Sequence, residues 1–332
     1  MEPYLYLAGL KRLSGEVNGD ETIHLGIRPY GFHAGNAVAL LIYPYLLCKF
    51  VQDRGIKPTF RFIVSLNDYE QDCLDGPDII RYPFNIYPLN SSLKHTPDER
   101  GCCNSVVEHW QPIIENCLRV LRKYYSRTEI IFVKNSELRN DVSFMDMLIH
   151  TIKFPKEQGD IMRKYSGKEV LEKPMQFAGV VCPKCKKTHG KTHILKSGDI
   201  MWKCQMCLTS FCGSYGQFDY WWHHKAMLCA RLKIFNIDIT ISGADHYSEG
   251  DFLIRKDFLN LFCPEQKIPK MLFSPLVLAP DGRKMSKSRN NIAFADIKRL
   301  LFIIENCEGE SIQLDNDVLI LGINEKDYSC NL

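Results

Sequence analysis

Apolar residues crowd the six-residue run Thr22-Ile23-His24-Leu25-Gly26-Ile27, which predicts a short buried strand. A Pro29-Tyr30-Gly31 turn follows, then an apolar stretch from Ala34 to Val51 long enough for a helix. Phe60 to Leu66 (FRFIVSL) repeats the buried-strand pattern about one βαβ unit later, so the first half predicts a parallel sheet with helices on its faces. From about Lys94 to Pro174 the apolar positions fall at helical spacings, as in Val106 to Tyr124 and Met145 to Lys164, and this span reads as a helical insertion. A compact cysteine-containing segment, Cys182 to Cys207, comes next. A helix over Trp221 to Ile234 and a strand over Ile237 to Ile241 resume the α/β pattern. They lead to the apolar Met271 to Leu278, a Pro280-Asp281-Gly282 turn and a basic cluster from Arg283 to Arg289. The expected fold class is α/β, without an internal repeat or a low-complexity linker.

Composition narrows the picture only in places. At 332 residues the chain calls for one large domain with an insertion, or two domains. Its 45% hydrophobic and 24% charged residues exclude broad disorder. The net charge of +3 pulls weakly on polyanions, so a nucleic-acid partner must be argued from local residues. The start lacks a basic segment followed by an apolar one, and no apolar run approaches the roughly 20 residues a membrane span needs. The expectation is a soluble, cytoplasmic chain with no membrane partner. Of the 14 cysteines, four stand as two CxxC pairs and the other ten are expected to be reduced thiols, several packed as small apolar groups.

The basic cluster contains Lys284-Met285-Ser286-Lys287-Ser288. Two lysines around small hydroxyl residues can fold over a triphosphate, a cationic head on each side, while the serine hydroxyls and backbone amides donate further hydrogen bonds. A solvated basic loop is the bland alternative. The string nevertheless matches the KMSKS signature of class I aminoacyl-tRNA synthetases without a mismatch. The partner motif of that superfamily belongs in the first strand-to-helix turn. There Gly31-Phe32-His33-Ala34-Gly35-Asn36 resembles HIGH, with Ala34 for Ile and Asn36 for the second His. A helix N-terminus offers amides and a positive dipole end to phosphate, Gly35 allows close approach, and His33 and Asn36, one turn apart, can donate to one oxygen. The resemblance implies a Rossmann-like parallel sheet of the HIGH/KMSKS nucleotidyl transferase type, using ATP and Mg²⁺. It implies His33, Asn36, Lys284 and Lys287 as catalytic residues, with Gly31, Gly35, Met285, Ser286 and Ser288 completing the ATP contacts.

The chain is further similar to class I lysyl-tRNA synthetases over nearly its whole length to Asn291. Gly26-Ile27-Arg28-Pro29-Tyr30-Gly31, leading into His33, resembles their segment before HIGH. Phe62 to Glu70 (FIVSLNDYE) resembles their second-strand string F-x-x-S-W-D-D-Y-D. Pro97-Asp98 through Cys102-Cys103-Asn104-Ser105 to Glu108-His109 resembles a Pro-Asp, Cys-His-Glu-Ser, Glu-His passage. Phe218-Asp219-Tyr220 and Ser242-Gly243-Ala244-Asp245-His246 look like V-D-W and G-K-D-H sites. By that resemblance Arg28, Asp68, Tyr69, Asp219, Tyr220, Asp245 and His246 line an amino-acid pocket, for a basic amino acid with lysine first. Three departures fall at positions that surround such a pocket: Leu66-Asn67 replaces Trp-Asp, Ala244 replaces Lys, and Tyr247-Ser248-Glu249-Gly250-Asp251 replaces Gly-Gly-Ser-Tyr-Asp.

Cys182-Pro183-Lys184-Cys185 and Cys204-Gln205-Met206-Cys207 have the spacing of two zinc knuckles, which would surround a structural Zn²⁺ with four thiolates and leave no position for water. The lysines of this segment, six against the single acid Asp199, suit the phosphates of an RNA end or simply a solvated surface. The expected organisation is residues 1–95 as the first catalytic half, 96–178 as the helical insertion, 179–213 as the zinc knuckle, 214–300 as the second half with the KMSKS loop, and 301–332 as a short acidic tail in place of the lysyl enzymes' helical anticodon-binding region. The expected activity is aminoacyl-adenylate formation and transfer to an acceptor. That acceptor is a tRNA end or, alternatively, a small amine, carrier or peptide; a third reading is an inactive regulator.

Overall fold

The computed structural model describes residues 2–29, 32–70, 79–81, 86–88, 91–98, 101–166, 177–248, 250–279, 281–283, 297–306 and 309–314. The chain opens with β1 (Tyr4–Leu5), α1 (Tyr6–Glu16) and β2 (Thr22–Ile27). A continuous helix follows: α2 (Ala34–Ala37) widens through five π-helical residues (Val38–Ile42) into α3 (Tyr43–Asp53). Pro44 has no N–H to donate, and in the widened turn the Tyr43 amide reaches back five residues to Val38. Next come β3 (Arg61–Leu66), the short antiparallel pair β4 (Ile79–Arg81) and β5 (Ile86–Pro88), α4 (Val106–Tyr124), β6 (Glu129–Lys134), α5 (Val142–Lys153) and α6 (Pro155–Ser166). The cysteine-containing segment forms β7 (Ala178–Val181), β8 (Gly190–Ile194), β9 (Ile200–Cys204), β10 (Ser210–Gly213) and β11 (Asp219–Trp222). The remainder is α7 (His224–Phe235), β12 (Ile239–Gly243), α8 (Ala244–Ser248), α9 (Asp251–Phe262), β13 (Lys270–Ser274), β14 (Leu276–Leu278), α10 (Ile297–Glu305) and β15 (Ser311–Gln313).

Six strands form one parallel sheet in the order β1-β13-β12-β2-β3-β6. One apolar row, Tyr4-Leu272-Ile241-Leu25-Val64-Phe132, crosses all six in register. Runs this apolar suit a sheet buried on both faces, and two cores cover it. One core gathers α1, α2–α3, α4 and α10; the other gathers α5, α7, α9 and the strands around the four knuckle cysteines. This is the α/β, Rossmann-like class that the sequence predicts. The chain adds β3 and β6 on one side of β2 but β12 and β13 on the other, so the topological switch lies between β2 and β12.

Several local expectations change. The strand β6 (EIIFVK) lies inside the span read as helical, and it extends the central sheet beside β3. The single helix expected over Met145 to Lys164 is two, because Pro155 starts a new one. Trp221 and Trp222 belong to β11, which pairs antiparallel with β7, and the helix begins only at His224. Cys117, on α4, is disulfide-bonded rather than a free thiol. The segment Ala34–Asp53, at 20 residues and mean hydropathy 1.5, is long and apolar enough to cross a membrane by composition. It is 72% buried within this fold, so its apolarity serves the core.

Candidate functional site

The carboxyl ends of β2 and β12 flank the switch, where open parallel sheets bind ligands. On the β2 side, His33 caps the helix that begins with α2. Its Nδ1 accepts a hydrogen bond from the Gly35 amide at 3.1 Å, and the Asn36 Oδ1 accepts one from the His33 amide at 3.3 Å. Each side chain thus spends an acceptor on the cap. A neutral imidazole that accepts at Nδ1 carries its proton on Nε2, so His33 can address a ligand only as a donor, while Asn36 keeps its Nδ2 amide as a donor. Gly35 makes the geometry possible: a Cβ there would sit 3.0 Å from His33 Cε1 and 3.2 Å from its Nδ1. The same Cβ would lie 4.0 Å from Val277 on β14, so the strand leading toward the basic string runs beside this cap. Beyond β14 the Ala279 amide donates to the Arg283 carbonyl at 2.8 Å, and Gly282 sits at φ +73°, which forms the expected turn. Gly31 and the string Lys284, Met285, Ser286, Lys287 and Ser288 lie outside the described residues.

The residues expected around an amino acid fall into two groups. In the first, Arg28 Nε meets Glu70 Oε1 at 2.6 Å, and Asp68, buried, accepts the Ser136 amide at 3.1 Å. Burial raises the Asp68 carboxyl above its ordinary range, while the Ser136 hydrogen bonds, Lys94 and Lys134 oppose it. The Tyr69 ring is buried, with Lys94 Nζ 6.0 Å from its centroid, and burial pushes its phenol strongly up. Asp219, at the start of β11, gathers three basic side chains that no motif announced: Lys94 at 2.8 Å, His95 at 3.3 Å and Arg139 at 3.7 Å. The His95 hydrogen bond, helped by Lys94, holds its carboxyl far below the usual range. Tyr220 is buried, its hydroxyl donating to the Tyr215 carbonyl at 2.7 Å.

The second group closes β12. A Cβ on Gly243 would meet Asp245 Oδ1 at 2.6 Å, so a larger residue there would push that carboxylate aside. His246 Nδ1 lies 3.0 Å from Asp251 Oδ2, and Asp251, fully buried, also holds Arg255 Nη2 at 3.0 Å. Burial alone would lower the His246 pKa, but the Asp251 charge and hydrogen bond outweigh it and raise it.

Beneath both groups lies a residue the sequence gave no reason to single out. Arg231, on α7 and 2% exposed, donates to Asn67 Oδ1 at 2.7 Å and to Asn135 Oδ1 at 2.7 Å, and lies 3.4 Å from His24 Nε2. Asn67 in turn donates to Glu70 Oε2 at 3.3 Å. Burial lowers the Arg231 pKa to about 10, opposed by Glu70 and Asp68, and keeps His24 neutral.

Among the described residues, two donor sets suit a metal. Cys182, Cys185, Cys204 and Cys207 bring their Sγ atoms within 4.8 Å of one another, with the Cys182–Cys207 and Cys185–Cys204 pairs at 3.6 Å. Tetrahedral zinc with Zn–S of about 2.3 Å separates its sulfurs by roughly 3.8 Å, so the four thiols fit. The Cys207 thiol is lowered to about 6 by hydrogen bonds from Thr209. The second set, Asp98, Cys102, Cys103 and His109, also lies within 4.8 Å, with Cys102 Sγ 3.0 Å from His109 Nδ1 and 3.1 Å from Asp98 Oδ2. Its spacing, D-x₃-C-C-x₅-H, is the signal that could have revealed it in the sequence.

The model of the family described as tRNA synthetases class I (K) matches residues 10–305. Among solved structures, the chain is similar to the Archaeoglobus fulgidus tyrosyl-tRNA synthetase (15% identity, TM-score 0.44, 86% of this chain and 64% of that one). It is also similar to the Mycoplasma pneumoniae tryptophanyl-tRNA synthetase (12%, 0.42, 82% and 60%) and to an Elizabethkingia meningosepticum glutamate tRNA ligase (11%, 0.37, 81% and 52%). The chain thus spans less than two thirds of the length of each. No curated protein matches it.

Proposed function

We propose, from the premise that this chain belongs to the family of class I (K) tRNA synthetases, that it joins an amino acid to AMP and passes the aminoacyl group to a tRNA end. The observation that carries this reading is the His33–Gly35–Asn36 cap at the switch point, with β14 and its turn leading from beside it toward Lys284 to Ser288. In the activation step the substrate carboxylate attacks the α-phosphorus of ATP and pyrophosphate leaves. The protein needs no nucleophile, only donors placed where charge develops on phosphate oxygens. His33 Nε2, the Asn36 amide and the helix N-terminus face the α-phosphate, and Lys284 and Lys287 take the leaving pyrophosphate. Mg²⁺ accompanies the triphosphate and shields its charge. The four knuckle cysteines hold a structural Zn²⁺. Arg28, Asp68, Tyr69, Asp219, Tyr220, Asp245 and His246 serve the amino acid, lysine first.

The test is ATP–pyrophosphate exchange across the twenty amino acids, followed by acid-precipitable labelling of total tRNA. Lysine-dependent exchange and labelled tRNA are expected, with Lys287→Ala abolishing both while the fold persists. Exchange without labelled tRNA moves the acceptor to a small amine, carrier or peptide. Absence of exchange with every amino acid refutes the activity.

A further inference from the structure

Two independent routes join the knuckle cysteines to the Asp219 cluster. The first is the β7–β11 ladder: Asp219 pairs with Val181, and the next residue along the chain is Cys182. The second runs through Lys187, just beyond Cys185. Its carbonyl accepts the Cys182 amide at 2.8 Å and its own amide donates to the Cys185 sulfur, so the cysteine turn itself sets its backbone. Its side chain leaves the knuckle, and Nζ donates to the buried Ser91 hydroxyl at 3.1 Å.

Ser91 opens the loop that carries two of the three basic partners of Asp219. The Leu93 and Lys94 amides donate to the Glu70 and Asp68 carbonyls at 3.1 and 2.9 Å, and the His95 amide closes a 3₁₀ turn onto the Ser92 carbonyl at 2.9 Å. From this turn Lys94 Nζ and His95 Nε2 reach the two oxygens of Asp219 at 2.8 and 3.3 Å. The contacts close a ring, from Cys182 through Val181, Asp219, Lys94 and Ser91 to Lys187 and back to the cysteine turn. A shift of that turn must therefore move Asp219, or the loop that grips it, or both.

Lys187 is an unexpected residue for such a contact. It is half-buried, whereas Lys184 and Lys186 on the same turn are exposed. Among the described residues it meets no carboxylate, and a neutral hydroxyl compensates the desolvation of an ammonium less well than an ion pair does. We propose that Lys187 is a positioning residue for the amino-acid pocket. It holds the loop from Ser91 to Thr96 at a fixed distance from the cysteine turn, so that Lys94 and His95 keep one geometry about Asp219. Zn²⁺ in the four cysteines, by fixing that turn, then acts on substrate affinity without touching the substrate. The proposal rests on the reading of Asp219 as an amino-acid-binding residue; the link between knuckle and loop does not.

The experiment is ATP–pyrophosphate exchange on the zinc-loaded full chain, with KM for the amino acid, KM for ATP and kcat read separately. Beside it, heteronuclear NMR of the histidine-labelled chain follows the His95 imidazole. Lys187→Met keeps the aliphatic length but removes the donor. It should raise the amino-acid KM about tenfold, the effect of losing one hydrogen bond from a charged group, and leave kcat and the ATP KM within about twofold. Ser91→Ala breaks the same contact from its other side and should do the same, which keeps the test open if the first variant folds poorly. The two substitutions together should exceed neither alone, because they remove one shared contact. Lys187→Arg, still a donor, should restore the parent values, and Lys184→Met, at an exposed position of the same turn, should leave them unchanged. Lys187→Met and chelation of the metal should each shift the His95 resonances, and Lys184→Met should not. An unchanged amino-acid KM, equal rises in both KM values, additive effects, failure of arginine to restore, or an unmoved His95 signal would each overturn the inference. A chain without exchange in which the His95 signal still follows Lys187 refutes the proposed activity and leaves the link standing; normal exchange, with KM and signal indifferent to Lys187, does the reverse.

Discussion

Replacing Gly35 with alanine separates folding from function. Gly35 has an ordinary helical backbone, with no positive φ, so alanine is not strained there by conformation. Alanine in a helix is favoured over glycine by about 0.5–1 kcal/mol. Against this, the new Cβ would stand 3.0 Å from His33 Cε1, closer than carbon atoms normally approach, and the ring must move by several tenths of an ångström. Displacing it strains the Nδ1 acceptor bond, worth about 1 kcal/mol as a helix cap. The two terms nearly cancel, so stability should change by less than about 1 kcal/mol, and urea denaturation should show an unchanged slope. Activity should respond differently, because misplacing a phosphate-facing donor by a fraction of an ångström to 1 Å costs up to about 100-fold. ATP–pyrophosphate exchange should therefore fall about 100-fold in kcat/KM for ATP while the urea midpoint stays put. A variant that keeps exchange within twofold of the parent would show that the capped ring is not what positions the phosphate. An unfolded variant would show that the cap is structural.

Cys204→Ser should release the knuckle metal, measured as zinc per chain by mass spectrometry, and loosen the second core, since Cys204 lies within it. Cys102→Ser should leave that metal in place; loss of a separate cobalt absorption band would assign Asp98, Cys103 and His109 as its fellow ligands. Arg231→Met leaves the carbonyls of Asn67 and Asn135 buried without their donor, and should cost about 3 kcal/mol in urea denaturation. Because Asp251 raises the folded-state pKa of His246 above 6.5, the stabilisation from that pair is fully present below about pH 6.5 and fades as pH rises through the raised value. Asp251→Asn should remove this pH dependence, and a thermal-denaturation profile unchanged by the variant would refute the pairing. Asn67→Asp should raise the amino-acid KM in the exchange assay more than it lowers kcat.

The parts of this molecule that were legible in its sequence are those whose pattern is local. The strand Thr22–Ile27 is recognisable because a doubly buried strand must be apolar along its whole length. The helix Val106–Tyr124 shows its buried stripe at helical spacing, and the knuckle cysteines carry their metal geometry in CxxC. His33 and Asn36 stood out as a short motif at the strand-to-helix turn, and the structure adds the cap that ties these residues three apart. What escaped was assembled by the fold. Lys94, His95 and Arg139 reach Asp219 from 80 to 125 positions away in sequence, and Arg231 meets His24 across 207. The strand β6 was hidden because one helix before it and two after it set the period of the whole stretch. In Trp221-Trp222, bulky apolar residues that suit a helix end equally well were claimed by pairing with Ala178 and Gly179.

The asparagine at position 67 illustrates how such a network changes the meaning of a substitution. In the string it resembles, this position carries an aspartate, and the exchange reads as the loss of a pocket carboxylate. In the fold its side chain works at both ends: Oδ1 accepts from the Arg231 guanidinium and Nδ2 donates to Glu70, whose other oxygen holds Arg28. A carboxylate can only accept, so an aspartate here would lose the bond to Glu70 and set two buried anions about 3.3 Å apart. The amide instead relays the orientation of a buried guanidinium through Glu70 to Arg28, at the carboxyl end of β2. Arg231 keeps its charge there although none of the hydrogen-bond partners named for it is a carboxylate, because Glu70 and Asp68 act on it through space. The result is a fixed positive charge beneath the carboxyl ends of β2 and β3, hydrogen-bonded to neutral amides and balanced from a distance by Glu70 and Asp68. A guanidinium held by two amide carbonyls in this way is preorganised, so its orientation costs nothing further to fix.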